Sequence, residues 1–279
     1  MKKIANCMAS FFVAGVFAAH AQAEITLVSQ DTIYLEGEIQ AGDFAKFQAA
    51  ISKAQPPLTL VLNSPGGDLS EALKIAELVR SSWITTEVTS GLPSFESSFA
   101  FNLIDVPVVC DSACALIFSS GVVRLYQVQD EENGRPVLGF HRAFVDPTYN
   151  QNLSAADAQF LFEGATEAYT SALSKYGAPA GFIERVLETK SDQVLLVGAD
   201  QFYAIYGDLR VFGDGIPWIE EYVSAKCGPH LTDEEYQVLD DNYENEIGKQ
   251  LQDRLQSQNE CRNKLRNEHQ LEAIRSLSK

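Results

Sequence analysis

The chain has 279 residues, 46% of them hydrophobic, with 38 acidic against 21 basic side chains and a formal net charge of −17. Such an excess of negative charge argues against nucleic acid or an anionic membrane surface as partner, because both repel a polyanion. The length suits one large core with a small appendage.

The chain opens with a basic "MKK", an apolar "IANCMASFFVAGVFAA" and a small-residue "AQA" at 21–23. This is the layout of a secretory signal removed after Ala23, and the apolar run is short for a bilayer span. The expectation is an exported protein, periplasmic or secreted, whose mature chain has no membrane span. Three segments follow: a signal at 1–23, an α/β domain at 24–222 and a helical extension at 223–279.

Strands are predicted at "ITLVS" and "TIYLEGEI", a helix at "AGDFAKFQAAISKA", and a short buried strand at "LTLVL" (58–62). That strand runs into Asn63-Ser64-Pro65-Gly66-Gly67. Proline lacks a ladder N–H, and the two glycines permit positive φ and close approach of another group. A helix over 69–80 follows, with Leu69, Ala72, Leu73 and Ala76 at helical spacing. A strand, a glycine turn and a helix N-terminus present free backbone N–H groups; the turn either holds an anion or simply makes a tight corner.

Residues 81–105 are rich in Ser, Thr and Phe, a long connection in which Phe95, Phe99 and Phe101 form a lid, a substrate groove or plain packing. A strand "VPVV" (106–109) leads to "CDSACALIFSSG", read as a turn and a buried helix. Strands "VVRLYQV" and "PVLGFHRAF" flank a turn "DEENGRP". A long amphipathic helix spans Leu153 to Tyr176 with Ser154 as N-cap; helices "AGFIERVLET" and "DQFYAIYG" and a strand "RVFG" come next. Strands alternating with helices indicate an α/β core. Beyond Val223 the chain is Gln-, Asn- and charge-rich and reads as solvent-facing helices, with Thr232 and Glu235 as a capping box.

Once Cys7 leaves with the signal, Cys110, Cys114, Cys227 and Cys261 remain. In an oxidising compartment an even count favours disulfides, paired by proximity as Cys110–Cys114 and Cys227–Cys261. The two pairs lie in unlike contexts and no histidine stands at finger spacing, which disfavours a zinc site. No cofactor is called for.

Of the four histidines, His20 lies in the signal, and His230 and His269 lie in the polar tail, where both are read as solvated. His141 alone ends an apolar strand, as a satisfied core residue or a catalytic base. Ser112 opens the buried helix, where it is either an N-cap or a nucleophile in the field of the helix N-terminus. The Ala113 amide beside it could face the same oxyanion. Serine acyl transfer needs these parts together: a hydroxyl that attacks, an imidazole that takes its proton, and amides that hold the oxyanion.

"LNSPGGDLSEAL", "CDSACALIFSSG" and "GFHRAF", in that order, resemble the signature turn, nucleophile helix and histidine segment of the Clp protease proteolytic subunit and its crotonase-fold relatives. The resemblance covers roughly residues 25–215, and the Cys-x-Ser-Ala-Cys-Ala form is similar to exported members of the group. It implies a ClpP/crotonase-like fold of repeated ββα units, followed here by a C-terminal helical extension. It further implies Ser112 as nucleophile, His141 as base, and Gly67 (Gly66 less so) with Ala113 as oxyanion donors. The third triad member should follow the helix at 181–190, where Asp192 stands with Glu188 close by; Asp111, adjacent to the nucleophile, is expected to point elsewhere. The function implied is a serine peptidase acting on peptides or proteins, self-associating into rings or trimers, with no ATPase partner because exported compartments lack ATP. A catalytically silent binding protein of the same fold is the alternative. Coenzyme A thioester chemistry shares the oxyanion turn but suits an export signal poorly. The cysteines around Ser112 would brace the turn, strain it or make activity redox-sensitive.

Overall fold

A computed structural model describes residues 22–89, 108–127, 136–144, 154–190, 193–207, 212 and 216–277. Strands β1 (Glu24–Leu27), β2 (Thr32–Glu36), β3 (Thr59–Asn63) and β4 (Thr85–Thr89) are joined by β6 (Val123–Gln127) in the order β1-β2-β3-β4-β6. β1 is antiparallel to β2, and every other pair in this sheet is parallel. Strands β5 (Cys110–Asp111), β7 (Leu138–Phe140) and β8 (Leu195–Val197) form a second, smaller sheet. The protein is thus mixed α/β with a mostly parallel main sheet.

β3 is central and its Leu60, Val61 and Leu62 are all buried, as a parallel strand covered on both faces requires. Helix α1 (Asp43–Ile51) packs against β1 and against helix α2 (Leu69–Ser81). α2 buries Ala72, Ile75, Ala76 and Val79, one stripe at helical spacing, and is capped by Asp68, which accepts from the Glu71 amide. Glu71 reaches back to accept from the Gly42 and Phe44 amides that open α1, at 3.1 and 2.9 Å. All eight residues of α3 (Ala113–Ser120) are buried, which makes it the central helix of the core.

Helix α4 (Ala155–Lys175) is capped by Ser154, which accepts from the Asp157 amide. α5 (Ala180–Glu188) and α6 (Ala199–Tyr206) complete the main core, where Phe140, Phe182, Phe202 and Tyr206 pack ring against ring. Arg124 lies fully buried among them. It donates to the Gly121 and Tyr176 carbonyls and lies 5.2 Å from the Tyr206 ring, while burial lowers its pKa to about 9. Arg80 donates to the same Gly121 oxygen, so one carbonyl ties α2 to β6.

Two elements differ from the sequence reading. Of the strand expected at 106–109 only 108 and 109 are described, and they lie just before β5 at Cys110–Asp111, because the backbone of Val109 is taken by the end of β3: its N–H donates to Asn63 Oδ1 and its carbonyl accepts from Ser64. β8 was not anticipated at all. All but Pro136 of the turn "DEENGRP" and all but Phe212 of "RVFG" lie outside the described residues, as do the loop phenylalanines.

The larger correction concerns the tail. Helix α7 (Pro217–Cys227) runs across a boundary drawn at 222/223, followed by α8 (Asp233–Asp241) and α9 (Glu246–Leu277). α8 carries the Thr232–Glu235 capping box. α9 is not a solvated appendage: Gln258, Arg262, Arg266, Gln270 and Ile274, one every four residues, are buried. Arg266 donates to the carbonyls of Leu58 and Trp83 and to Thr85 Oγ1. Gln270 accepts from the Leu58 amide at 2.9 Å and donates to the Trp83 carbonyl at 2.7 Å. Leu58 immediately precedes β3 and Trp83 stands two residues before β4, where the Leu58 carbonyl already accepts from Thr85 but the Leu58 amide and the Trp83 carbonyl look to α9 for partners. A polar helix face docks there because those groups must be satisfied. His269 is likewise engaged, stacked 3.8 Å from Trp83, with Nε2 2.7 Å from the Ser81 carbonyl.

Both disulfides have the anticipated partners, with Cα–Cα distances of 5.1 Å for Cys110–Cys114 and 5.6 Å for Cys227–Cys261; the second ties α7 to α9. They suit an oxidising compartment. Among the described residues no helix is long and apolar enough to cross a membrane.

Replacing Arg266 with Ala removes three buried hydrogen bonds, although the Leu58 carbonyl keeps the Thr85 amide and the Trp83 carbonyl keeps Gln270, so urea denaturation should show a loss of about 1–3 kcal/mol. His230, half-buried with Nδ1 2.8 Å from Arg262 Nη1, has its pKa lowered from 6.5 to about 4 by burial and then by the neighbouring guanidinium. Between those values the unfolded histidine binds a proton that the folded one refuses, so stability falls as pH drops from about 6.5 towards 4. The urea midpoint of His230→Gln should fall less steeply across that window than that of the wild type.

Candidate active site

The turn after β3 is built by hydrogen bonds that only its residue order allows. Ser64 continues β3 into an isolated parallel bridge with Cys110: its N–H donates to Val109 and its carbonyl accepts from Asp111, at 2.7 and 3.1 Å. Ser64 Oγ turns inward and accepts from the Gly66 amide at 3.1 Å. Ile39 then clamps the other side, its N–H donating to the Gly66 carbonyl and its carbonyl accepting from Asp68, both at 2.8 Å. Gly66 and Gly67 have φ of +99° and +133°, a region that side chains with a Cβ rarely adopt. The Gly66 N–H is therefore spent inside the turn. The Gly67 N–H, on an exposed residue, has no acceptor among the described residues.

Gly66 also packs against Ser112. A Cβ on Gly66 would lie 2.7 Å from the Asp111 carbonyl oxygen and 2.8 Å from Ser112 Cβ, so the glycine is what admits the serine turn. Ser112 itself has φ 57° and ψ −116°, an unfavourable backbone for a residue with a side chain, between β5 and α3. Such a strained strand-to-helix elbow pushes a hydroxyl out of the turn. The Ser112 N–H is anchored to the Gly139 carbonyl at 2.7 Å. Although Ser112 holds the N-cap position, its hydroxyl makes no capping hydrogen bond. The Ala113 amide, 3.1 Å from the position of a Gly66 Cβ, also has no acceptor among the described residues.

His141 directly follows β7, the strand paired to β5 with Cys110 opposite Leu138 and Asp111 opposite Gly139. It is buried, and its Nδ1 lies 2.8 Å from the Arg142 carbonyl oxygen. A carbonyl only accepts, so this contact assigns the proton to Nδ1 and leaves Nε2 with the lone pair. Ser112 and His141 thus stand on neighbouring segments one register step apart; no hydrogen bond joins their side chains among the described residues.

The fold therefore gathers Gly66, Gly67, Ser112, Ala113 and His141 around the ends of β3, β5 and β7. The Cys110–Cys114 bridge, buried at both ends, spans the same elbow. Asp192 lies outside the described residues. Asp111 is the residue that the sequence reading passed over: its carboxyl lies along β7 instead of pointing away, and burial raises its pKa to about 6, with His141 pulling in the other direction. A run of "DS" before a buried helix carries no signal of that orientation, which depends on the strand pairing.

No protein-family model matches the chain, and no curated protein matches it.

A methyl at position 66 cannot be accommodated without moving the Ser112 elbow. Gly66→Ala should lower stability by about 2 kcal/mol or more, seen as a lower thermal midpoint.

Proposed function

We propose that the protein is an exported serine hydrolase of the ClpP/crotonase-like fold, cleaving peptide amide bonds with Ser112 as nucleophile and His141 as general base. The observation that carries the reading is the Ser112 elbow: a half-buried hydroxyl held at positive φ, unused as a cap, beside the open Gly67 and Ala113 amides. An N-cap serine without a further role would adopt extended backbone and accept a hydrogen bond from a helix amide with its hydroxyl oxygen. The Arg142 carbonyl supports the base assignment by holding the tautomer with a free Nε2.

In this mechanism Ser112 Oγ attacks the carbonyl carbon of the scissile amide while its proton passes to His141 Nε2. The carbonyl oxygen takes the negative charge and is held by the Gly67 and Ala113 N–H groups, with the N-terminus of α3 adding a favourable field. The tetrahedral species collapses, the C–N bond breaks, and the amine leaves with the proton from His141. Water, deprotonated by the same imidazole, then releases the acid from the Ser112 ester. Removal of one such amide donor costs about 10²–10³ in rate, so the geometry of the glycine turn matters as much as the serine. The order of the three motifs supports an exported peptidase that self-associates, without a nucleotide-driven partner.

A fluorophosphonate probe should label the mature, oxidised protein at Ser112, and Ser112→Ala should abolish labelling. His141→Ala should slow it by about 100-fold or more. Absence of labelling in folded protein, oxidised and reduced, would make the chain a silent binding module of the same fold.

A further inference from the structure

Asp111 precedes the candidate nucleophile, yet its side chain belongs to the neighbouring strand. β5 and β7 are parallel with Asp111 opposite Gly139, so both residues direct their side chains to the same face of the small sheet. Residue 141, two positions beyond Gly139, returns to that face, as does Val194 across the antiparallel β7–β8 register. Gly139 contributes no side chain, and the Asp111 carboxyl fills the space: a Cβ there would strike Asp111 Oδ1 and Val194 Cγ1 and lie 2.9 Å from Asp111 Cγ. Oδ1 is buried and has no hydrogen-bond partner among the described residues. Among the described residues, the strands packed around it bring no other charge. β7 and β8 contain no ionisable side chain, and the cysteines of β5 and α3 are bridged to each other. Among the described residues, the titratable group that acts on the carboxyl is His141.

We infer that Asp111 is a positioning residue for His141, its carboxylate facing the imidazole across the gap left by Gly139 and stabilising the imidazolium that forms when Ser112 gives up its proton. The inference rests on the Ser112–His141 reading and assigns the negative member of the constellation to the residue beside the nucleophile. The two supports of the histidine are divided: the Arg142 carbonyl holds Nδ1–H, and Asp111 supplies the charge. Because burial raises the carboxyl pKa to about 6, the support is present at neutral and alkaline pH and fades as pH falls through that value.

The test follows the His141 ring carbons of the isotopically labelled, oxidised full-length mature protein by NMR through a pH titration, in wild type and Asp111→Asn. Loss of the carboxylate should lower the His141 midpoint by about one pH unit or more. An unmoved midpoint in folded Asp111→Asn overturns the inference, as does a midpoint that moves in Asp192→Asn instead. This readout needs no catalysis. A wild type that resists the fluorophosphonate yet shows the shift retains the Asp111–His141 pairing and rejects the hydrolase. In a protein that is labelled, Asp111→Asn should slow Ser112 labelling about tenfold or more at neutral pH. Should Asp111→Asn fail to fold, the reciprocal variant His141→Gln, read at the Asp111 carboxyl carbon, must raise that midpoint; an unchanged midpoint overturns the inference.

Discussion

β5 is a strand of two residues, and it is held from both sides. Ser64, extending β3, bonds to Val109 and Asp111, while Val137 and Gly139 accept from Cys110 and Ser112. This joint is the only described backbone bridge between the two sheets. It forces the chain to turn from strand into α3 within one residue, and Ser112 absorbs that turn at φ 57°. A backbone conformation costing about 1–3 kcal/mol persists because its neighbours over-determine it. Here they are the ladder on both sides, the bridge from Cys110 to Cys114 and the Gly66 backbone pressed against Ser112.

The two ends of the main sheet treat polar groups in opposite ways. Where β3 and β4 begin, Arg266 and Gln270 of α9 satisfy the backbone of Leu58 and Trp83, and His269 covers Ser81 and Trp83. Where β3 ends, the Gly67 and Ala113 amides remain without acceptors among the described residues, and Asp111 Oδ1 without a donor. Buried or half-buried polar groups are normally paired, and leaving one unpaired costs about 1–3 kcal/mol. One end of the sheet is thus closed by a polar helix, while the other leaves two amide donors and one carboxylate oxygen open beside one serine and one histidine.

The same contrast bears on charge. The chain is strongly acidic, yet among its buried cations Arg80, Arg124 and Arg266 are held mainly by carbonyl oxygens and aromatic rings. Multiple carbonyl acceptors and ring faces accommodate a delocalised guanidinium in the interior, which a compact ammonium would tolerate less well. The buried carboxylates Asp43 and Glu71 pair instead with lysines at the surface, Lys46 and Lys74.

Local pattern alone determined the α/β class, the glycine turn, the Ser154 and Thr232 caps and the pairing of nearby cysteines, since each depends on residues within a few turns of chain or on a short loop between cysteines. It also singled out Ser112 and His141, because Ser112 opens a buried helix, His141 is the one of four histidines that ends an apolar strand, and both fall in ordered motifs behind the glycine turn. Tertiary structure alone decided the rest. Which of two glycine amides stays open depends on Ser64 Oγ and Ile39, and the direction of the Asp111 carboxyl depends on a strand partner 28 residues later, Gly139. The docking of α9 depends on carbonyls about 200 residues away in sequence, such as that of Leu58, which accepts from Arg266. Polar residues at helical spacing look solvated until something non-local needs their hydrogen bonds; strand pairing and helix docking supply that need, and neither is encoded in a local window.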